Sequence, residues 1–267
     1  MKFYHKLRSE LPGLKKEELD MLPRSYNILG DILILKLKPL LVKHEGDIGK
    51  AVLKIIPYIR TVCLDKGIEG ITRKPAIEVI AGSKNTETIH TEHGCKFFLD
   101  VSESMWSKGN KFERERMMKS VKKGEIIVDM FAGIGYWSIF MAKGPVKKVY
   151  SIDINPKAME YLEKNARLNK VSEKIEILQG DCRSFSDMLE KTADRIIMGY
   201  FGTKEFLPYA IKMARPGAII HYHDVSPIEK IDDLKEYLGK FGRITGIRKV
   251  KSYAPNVVHV VMDLRMN

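Results

Sequence analysis

From about residue 111 onward, short apolar stretches alternate with longer segments of helical spacing. The apolar stretches predict strands at residues 125–130, 149–153, 175–179, 194–198 and 218–222. The segments between and before them predict helices that include 111–122, 156–169 and 204–214. Strands that alternate with helices indicate parallel βαβ units, so we predict a doubly wound α/β sheet. A late strand at 257–264 is expected to pair antiparallel with 244–250 at one edge.

The first hundred residues have a different pattern. Residues 26–35 contain a turn signal between two β-prone stretches, and apolar residues at helical spacing predict a helix at 47–59. Short strands are predicted after it, at 61–64, 76–81, 88–91 and 95–101. We therefore predict a small α+β domain at 1–102, followed by the α/β domain at 103–267.

Composition narrows the classes of protein. With 267 residues and a hydrophobic fraction of 44%, the chain can bury a substantial core. It has no apolar run of the roughly eighteen residues that a membrane span requires, and its first residues do not resemble a secretory signal. Cys63, Cys95 and Cys182 are too widely spaced to indicate a disulfide framework or a zinc site. We expect a reduced, cytoplasmic protein that is monomeric and does not associate with membranes.

The formal net charge of +12 concerns partners more than fold. Nucleic acid is one candidate partner, because lysine and arginine that neutralise phosphates release counterions. A lysine-rich surface that serves solubility or heat resistance is the other interpretation, and charge alone leaves both open.

A glycine loop follows the first predicted strand of the sheet. The apolar residues 126–130 lead into Phe131-Ala132-Gly133-Ile134-Gly135, where small residues let a cofactor approach the backbone. Acidic residues end the strands at Asp129 and Asp153, and Asp181 follows the third strand. These positions meet at the carboxyl edge of a parallel sheet, which is the usual binding edge in such folds.

Each of these residues is predicted to contact one part of a nucleoside-bearing cofactor. Asp129 is placed to receive an ammonium group and Asp153, with Ile154 beside it, to bind a ribose diol. Asp181 and Cys182 are placed at adenine. The loop residues Phe131, Gly133 and Gly135 then line the methionine part.

Ser138 stands where a dinucleotide-binding GxGxxG loop has its third glycine. No grip for a pyrophosphate is evident, which favours S-adenosylmethionine over NAD or FAD. The predicted fold is therefore a Rossmann-like, class I S-adenosylmethionine-dependent transferase domain preceded by a small α+β domain.

The loop 129–135 and the segment 152–156, together with residues 110–114 and 194–198, resemble one tRNA-modifying family. That family contains the archaeal-type tRNA (guanine-N1)-methyltransferases and the wybutosine-synthesising 3-amino-3-carboxypropyltransferases. The resemblance covers roughly residues 60–267 and implies a tRNA(Phe) substrate modified beside the anticodon. It also implies that the segment at Ser107, Lys111 and Arg114 binds the methionine carboxylate or phosphate, the alternative being a solvated linker. A role of the first domain in RNA binding is a further expectation from the family.

The segment after the fourth strand distinguishes the two branches. The methyltransferases are expected to carry Asn-Leu-Pro or Asn-Pro-Pro there, whereas this chain has Gly199-Tyr200-Phe201-Gly202-Thr203. The glycines leave space, and Tyr200 and Phe201 offer faces on which a tricyclic base can stack. Packing as loop anchors is the plain alternative for both rings.

We therefore predict transfer of the 3-amino-3-carboxypropyl group from S-adenosylmethionine to 4-demethylwyosine, with methylthioadenosine as the by-product. The alternative is guanine-N1 methylation at the same nucleotide, with S-adenosylhomocysteine as the by-product.

No residue stands out as a catalytic acid or base. Glu125 is interpreted as a structural residue before the first strand. His221 and His223 can face the same side of one strand, but no third ligand is apparent, and we predict no metal site.

Overall fold

The computed structural model describes residues 2–69 and 74–267 and divides the chain into two compact units. The first comprises Met1–Thr91 and Lys96–Trp106, and the second comprises Glu92–Cys95 and Ser107–Asn267. The predicted boundary at 102/103 lies within four residues of the later division, at 106/107. No described helix has both the length and the apolar character needed to cross a membrane.

The first unit is built on a four-stranded sheet in the order β1-β2-β3-β4. β2 and β3 are parallel, while β1/β2 and β3/β4 are antiparallel. β5 and β6 form a separate two-stranded sheet. The elements are α1 (Phe3–Ser9), α2 (Lys16–Asp20), β1 (Asn27–Leu29), β2 (Ile32–Leu35), α3 (Glu45–Ile55), β3 (Thr61–Glu69), β4 (Lys74–Gly82), β5 (Glu87–Glu92) and β6 (Cys95–Asp100).

Helix α3 supplies one face of this unit's core. Ile48 and Val52 are fully buried on it, one turn apart, and cluster with residues of β2 and β3. The helix ends at Ile55, not at residue 59 as predicted, because the residue before Pro57 is disfavoured in helical conformation. Ile56 accordingly adopts φ −132° and ψ 78°.

The second unit contains a seven-stranded sheet in the order β12-β13-β11-β10-β7-β8-β9. β11, β10, β7, β8 and β9 are parallel, whereas β13 runs antiparallel to both β11 and β12. The predicted α/β fold and the antiparallel edge pair are confirmed. The elements are α4 (Lys111–Ser120), β7 (Ile126–Asp129), α5 (Ser138–Ala142), β8 (Lys148–Asp153), α6 (Pro156–Leu168), β9 (Ile175–Gln179), β10 (Ala193–Met198), α7 (Leu207–Met213), β11 (Ala214–Pro227), α8 (Ile231–Gly239), β12 (Arg243–Ala254) and β13 (Val257–Arg265).

β11 is much longer than the predicted strand 218–222. Its extension continues the pairing with β13 up to Pro227, which lies opposite Val257. The β12–β13 hairpin therefore reaches as far as the carboxyl end of β11, at the same edge of the sheet as the glycine loop after β7. This placement brings the hairpin close to the loop that follows β10.

A buried polar network crosses one face of this sheet. Arg195 donates to Glu125 and, at 2.6 Å, to Nε2 of His221. Nδ1 of His221 must then carry the proton, which it donates to Asp263 Oδ1 at 2.6 Å. Burial would raise the pKa of Asp263, but the bond from His221 and the nearby charges of Arg116 and Arg248 hold it well below its usual range. Glu125 is thus engaged in structure, in keeping with its interpretation above.

Candidate cofactor and acceptor site

The loop between β7 and α5 is shaped by two glycines with positive φ. Gly133 has φ 53° and Gly135 has φ 95°, conformations that side chains rarely adopt. A Cβ on Gly133 would lie 2.6 Å from the ring of Tyr136. A Cβ on Gly135 would lie 2.7 Å from the side chains of Ile139 and Leu162. Both positions therefore require glycine for the backbone to stay close to its neighbours.

Asp129 ends β7 and is fully buried. Its Oδ2 accepts a 2.7 Å hydrogen bond from Ser138, whose hydroxyl in turn receives one from Ser151. Burial raises the pKa of Asp129 to about 7, against the opposing effect of the Ser138 bond. In the described part of the chain, Oδ1 has no partner in hydrogen-bond geometry. An unpartnered buried carboxylate oxygen is suited to receive a cationic group such as an ammonium.

Asp153 ends β8 and is held by backbone donors. Its Oδ2 accepts from the amide of Gly133 at 2.7 Å, and its Oδ1 accepts from the amide of Asn155 at 2.9 Å. Burial raises the pKa of Asp153, and these amide bonds act in the opposite direction. The carboxylate therefore ties the glycine loop to the start of α6, which Asn155 caps by accepting from two amides. Ile154, the next residue, is 68% exposed.

Asp181 and Cys182 follow β9 but have different surroundings. Asp181 accepts from the amide of Arg183 and pairs with its guanidinium, and that bond lowers the pKa of Asp181. Cys182 is buried in the core, and burial raises the pKa of its thiol to about 12. The thiol is therefore neutral and contributes an apolar wall. The role of both residues at adenine stays a prediction.

Of the three residues predicted to bind the methionine carboxylate, Arg114 is placed differently from expectation. Its guanidinium is only 1% exposed and donates to both carboxylate oxygens of Glu92, at 2.6 and 3.0 Å. It also donates to the carbonyl of Ser107 at 2.9 Å. The expectation that Arg114 grips the cofactor directly is therefore revised, because a buried partner already neutralises its charge. It positions the Ser107 backbone.

Ser107 and Lys111 lie on either side of a short 3-10 turn. The Ser107 hydroxyl accepts from Lys251 Nζ at 2.5 Å, which brings β12 to this segment. Lys111 begins α4 with an exposed side chain, and its carbonyl lies 3.0 Å from His93 Nε2. Ser107 thus contacts two cationic residues, Lys251 and Arg114, and the side chain of Lys111 is exposed. The role of Ser107 and Lys111 at the methionine carboxylate stays a prediction.

Gly199 packs directly against the glycine loop. Any Cβ there would collide with Nε1 of Trp137, so this position also requires glycine. The next two aromatic rings diverge. The ring of Tyr200 lies 5.8 Å from that of Phe131 in the glycine loop, measured between centroids. Phe201 faces His259 of β13, at 4.9 Å. The two rings thus line different sides of the segment 199–203, the candidate acceptor loop, and do not present one common stacking surface.

Sequence reasoning singled out His223 but missed Trp137 and His259, which pack against it next to this loop. Trp137 lies 4.8 Å from the ring of His223, and Nδ1 of His223 lies 3.1 Å from Nε2 of His259. Burial lowers the pKa of both imidazoles, that of His259 to about 4, so the pair is neutral. The period-2 pattern does put His221 and His223 on one face, but nothing in the sequence identified His259 as the partner. Residues 2–69 and 74–267 contain no cluster of three side chains that could hold a metal ion.

Comparison with known proteins places the chain in a family. Residues 88–251 match the model of the TRM5/TYW2 methyltransferase domain, and residues 7–86 match the TYW2 N-terminal domain. The chain belongs to the TRM5/TYW2 family. The resemblance drawn from the sequence motifs is thereby confirmed.

Individual members of the TRM5/TYW2 family match over nearly the whole chain. The tRNA(Phe) (4-demethylwyosine(37)-C(7)) aminocarboxypropyltransferase of Pyrococcus horikoshii is 40% identical over 97% of this chain and 94% of its own length. The tRNA (guanine(37)-N(1))-methyltransferase Trm5b of Pyrococcus abyssi is 36% identical over 97% of this chain and 79% of its own length. The crystal structure of P. horikoshii TYW2 in complex with MeSAdo has a TM-score of 0.86 and 36% identity, with 98% of each chain covered.

Proposed function

We propose that this protein transfers the 3-amino-3-carboxypropyl group of S-adenosylmethionine to 4-demethylwyosine beside the anticodon of tRNA(Phe). Methylthioadenosine is the by-product. The observation that carries the proposal is the near full-length match with an aminocarboxypropyltransferase at 40% identity. The acceptor loop adds support, since it has Gly199 against Trp137 where the methyltransferase branch is expected to have Asn and Pro.

The geometry of the site fits S-adenosylmethionine. When bound, this cofactor supplies a sulfonium with three electrophilic carbons, of which the methionine Cγ is the one transferred. Asp153 holds the ribose hydroxyls, with Ile154 beside it, and the unpartnered oxygen of Asp129 receives the ammonium group. Asp181 and Cys182 border the adenine.

The remaining residues orient the methionine part. Phe131, Gly133 and Gly135 allow it to approach the backbone, and Ser107 and Lys111 bind its carboxylate. Because the methyl group is sterically the easiest to transfer, the protein must select Cγ by orientation. Displacement requires the nucleophile in line with the breaking bond at near-attack distance. The side chains of Trp137 and His223 are buried and uncharged, and they form a wall that excludes water and supports that alignment.

Methyl transfer to guanine N1 is the second candidate function. It is favoured by the 36% identity with Trm5b, over almost all of this chain. The two reactions differ in the nucleoside released. We further propose that the protein acts as a monomer in the cytoplasm, which size-exclusion chromatography with light scattering and cell fractionation can test.

The deciding experiment is mass spectrometry of the small-molecule by-product. The purified protein is incubated with S-adenosylmethionine and with tRNA(Phe) that carries either 4-demethylwyosine or unmodified guanosine. Methylthioadenosine formed only with the wyosine precursor supports the proposal. S-adenosylhomocysteine formed with the guanosine tRNA would establish methyl transfer instead.

A further inference from the structure

The tip of the β12–β13 hairpin, residues 252–257, carries a pocket that is lined by none of the residues predicted to bind the cofactor. The pocket has a volume of about 410 Å³, which is in the range of small-ligand sites. Tyr253 borders it and is 50% exposed. The lining residues are Ile228, Lys249, Ser252, Tyr253, Ala254, Pro255, Asn256, Val257 and Val258.

The chemistry of this lining matches a nucleotide. No lining residue is acidic, and exposed Lys249 has no carboxylate within salt-bridge distance in the part of the chain that the structure describes. Ser252 and Asn256 offer hydrogen-bond donors and acceptors for a polar edge. Tyr253 provides a face on which an unpaired base can stack. A flat, polar-edged and anionic ligand satisfies all three features together.

The position of the pocket connects it with the acceptor site. Val257 of the tip lies opposite Pro227, at the carboxyl end of β11. The ring of Tyr253 lies 6.1 Å from that of Phe201, with the two planes nearly perpendicular. Phe201 belongs to the acceptor loop after β10. A polynucleotide whose modified base reaches the acceptor loop therefore brings a neighbouring nucleotide to the hairpin tip.

We propose that the hairpin tip binds an unpaired nucleotide of the tRNA anticodon loop, adjacent to the nucleotide that is modified. The base stacks on Tyr253, and its phosphate is bound by Lys249. This inference rests on the proposed function, because it takes tRNA as the substrate. It assigns the hairpin tip to RNA recognition and leaves group transfer to the residues around the glycine loop.

The test compares four variants of the full-length protein. Tyr253→Ala removes the stacking face and Tyr253→Phe retains it, while Lys249→Ala removes the phosphate contact. Lys240→Ala is the charge-matched control, since this exposed lysine follows α8 near the opposite end of the sheet. The measurements are the affinity for tRNA(Phe) by filter binding at several salt concentrations, the KM for tRNA, and the affinity for S-adenosylmethionine by calorimetry.

We expect Tyr253→Ala to weaken tRNA binding about 10-fold, as loss of one stacked base does, and Tyr253→Phe to bind like the unchanged protein. Lys249→Ala should weaken binding less and reduce the salt dependence by about one phosphate contact. Lys240→Ala should leave tRNA binding unchanged. All four variants should retain their affinity for S-adenosylmethionine. Unchanged tRNA affinity in both Tyr253→Ala and Lys249→Ala would overturn the proposal.

A second measurement is independent of whether Tyr253→Ala folds. The unchanged protein is irradiated with an anticodon stem-loop that carries 4-thiouridine at one loop position at a time. Cross-links to the peptide containing residues 252–257 support the proposal, and cross-links that avoid it at every loop position contradict it. Neither readout depends on the by-product, so a finding of S-adenosylhomocysteine would reject the proposed function without deciding the role of the hairpin tip.

Discussion

Asp129, Asp153 and Asp181, at the ends of β7, β8 and β9, are held by partners no more than 20 residues away, whereas Asp263 on β13 is also held by partners 42 and 147 residues away. Asp153 accepts from an amide two residues away as well as from Gly133, and Asp181 accepts from the amide of Arg183. Across the sheet, Asp263 is bound by His221, 42 residues earlier. We call β7, β8, β9 and the loops after them the cofactor half, and β10, β11, β12 and β13 the acceptor half, after the roles proposed above. The cofactor half is thus assembled from short loops, and the acceptor half from side-chain pairs between strands.

The difference has consequences for what each half tolerates. In the cofactor half, changing one acid affects one loop and the ligand bound there. In the acceptor half, each residue has several partners, so one substitution leaves other buried groups without their bonds. We therefore expect substitutions there to act first on stability and substitutions in the cofactor half to act first on binding.

The largest effect is expected for Asp263→Asn. It removes the negative charge of the Asp263 carboxylate, which is paired with His221, Arg116 and Arg248. Breaking a buried ion pair costs about 3 kcal/mol or more. The free energy of unfolding is measured by urea titration. Glu163→Gln is the control, because its pair with Arg167 is exposed and is worth less than about 0.5 kcal/mol. Equal stability losses in the two variants would show that the network is not cooperative.

A pH dependence is expected from Asp129. Its pKa is raised in the folded protein to about 7, so the folded state retains a proton that the unfolded state releases above about pH 4. The contribution to stability is full below pH 4 and is lost as the pH rises towards 7. Asp129→Asn should remove this loss of stability with rising pH, which is on the order of a few kcal/mol in the free energy of unfolding. Urea titrations at several pH values test this, and parallel stability curves for the two proteins would contradict it.

Asp153→Ala should reduce the affinity for S-adenosylmethionine about 100-fold, as expected when charge-assisted hydrogen bonds to the ribose are lost. Calorimetry measures the binding, and Asp187→Ala provides a control on the surface, where that side chain is 84% exposed. Asp153→Asn retains an acceptor and should lose less. Affinity for tRNA should be nearly unchanged. Retention of cofactor binding in Asp153→Ala would refute the assigned pocket.

The smallest effect is expected for Gly199→Ala, whose Cβ must displace Trp137. We expect a roughly 10-fold lower kcat with little change in cofactor affinity, because misplacement of the acceptor impairs alignment more than binding. Gly239→Ala is the matched control, since its Cβ would contact nothing. A weakened cofactor affinity with normal kcat would indicate that Gly199 serves the cofactor half instead.

The sequence was sufficient for the parts of the fold that depend on local pattern. The α/β sheet, its antiparallel edge pair and the positions of Asp129 and Asp153 at strand ends all follow from periodicity and a glycine loop. Pairings such as Arg114 with Glu92, or His223 with His259, could not be predicted, because the partners lie 22 and 36 residues apart. The extension of β11 was missed for the same reason, since its pairing with β13 determines it.

Because Cys63, Cys95 and Cys182 are buried, their reactivity can report local unfolding of the protein. Burial raises the pKa of these thiols to about 12, 11 and 12, so none is ionised at neutral pH in the folded protein. Alkylation requires the thiolate and access to it. The rate at which each cysteine is labelled should therefore report how often its surroundings open. Cys63 then records the opening of the first unit, and Cys182 that of the loop that follows β9, in one mass-spectrometric time course.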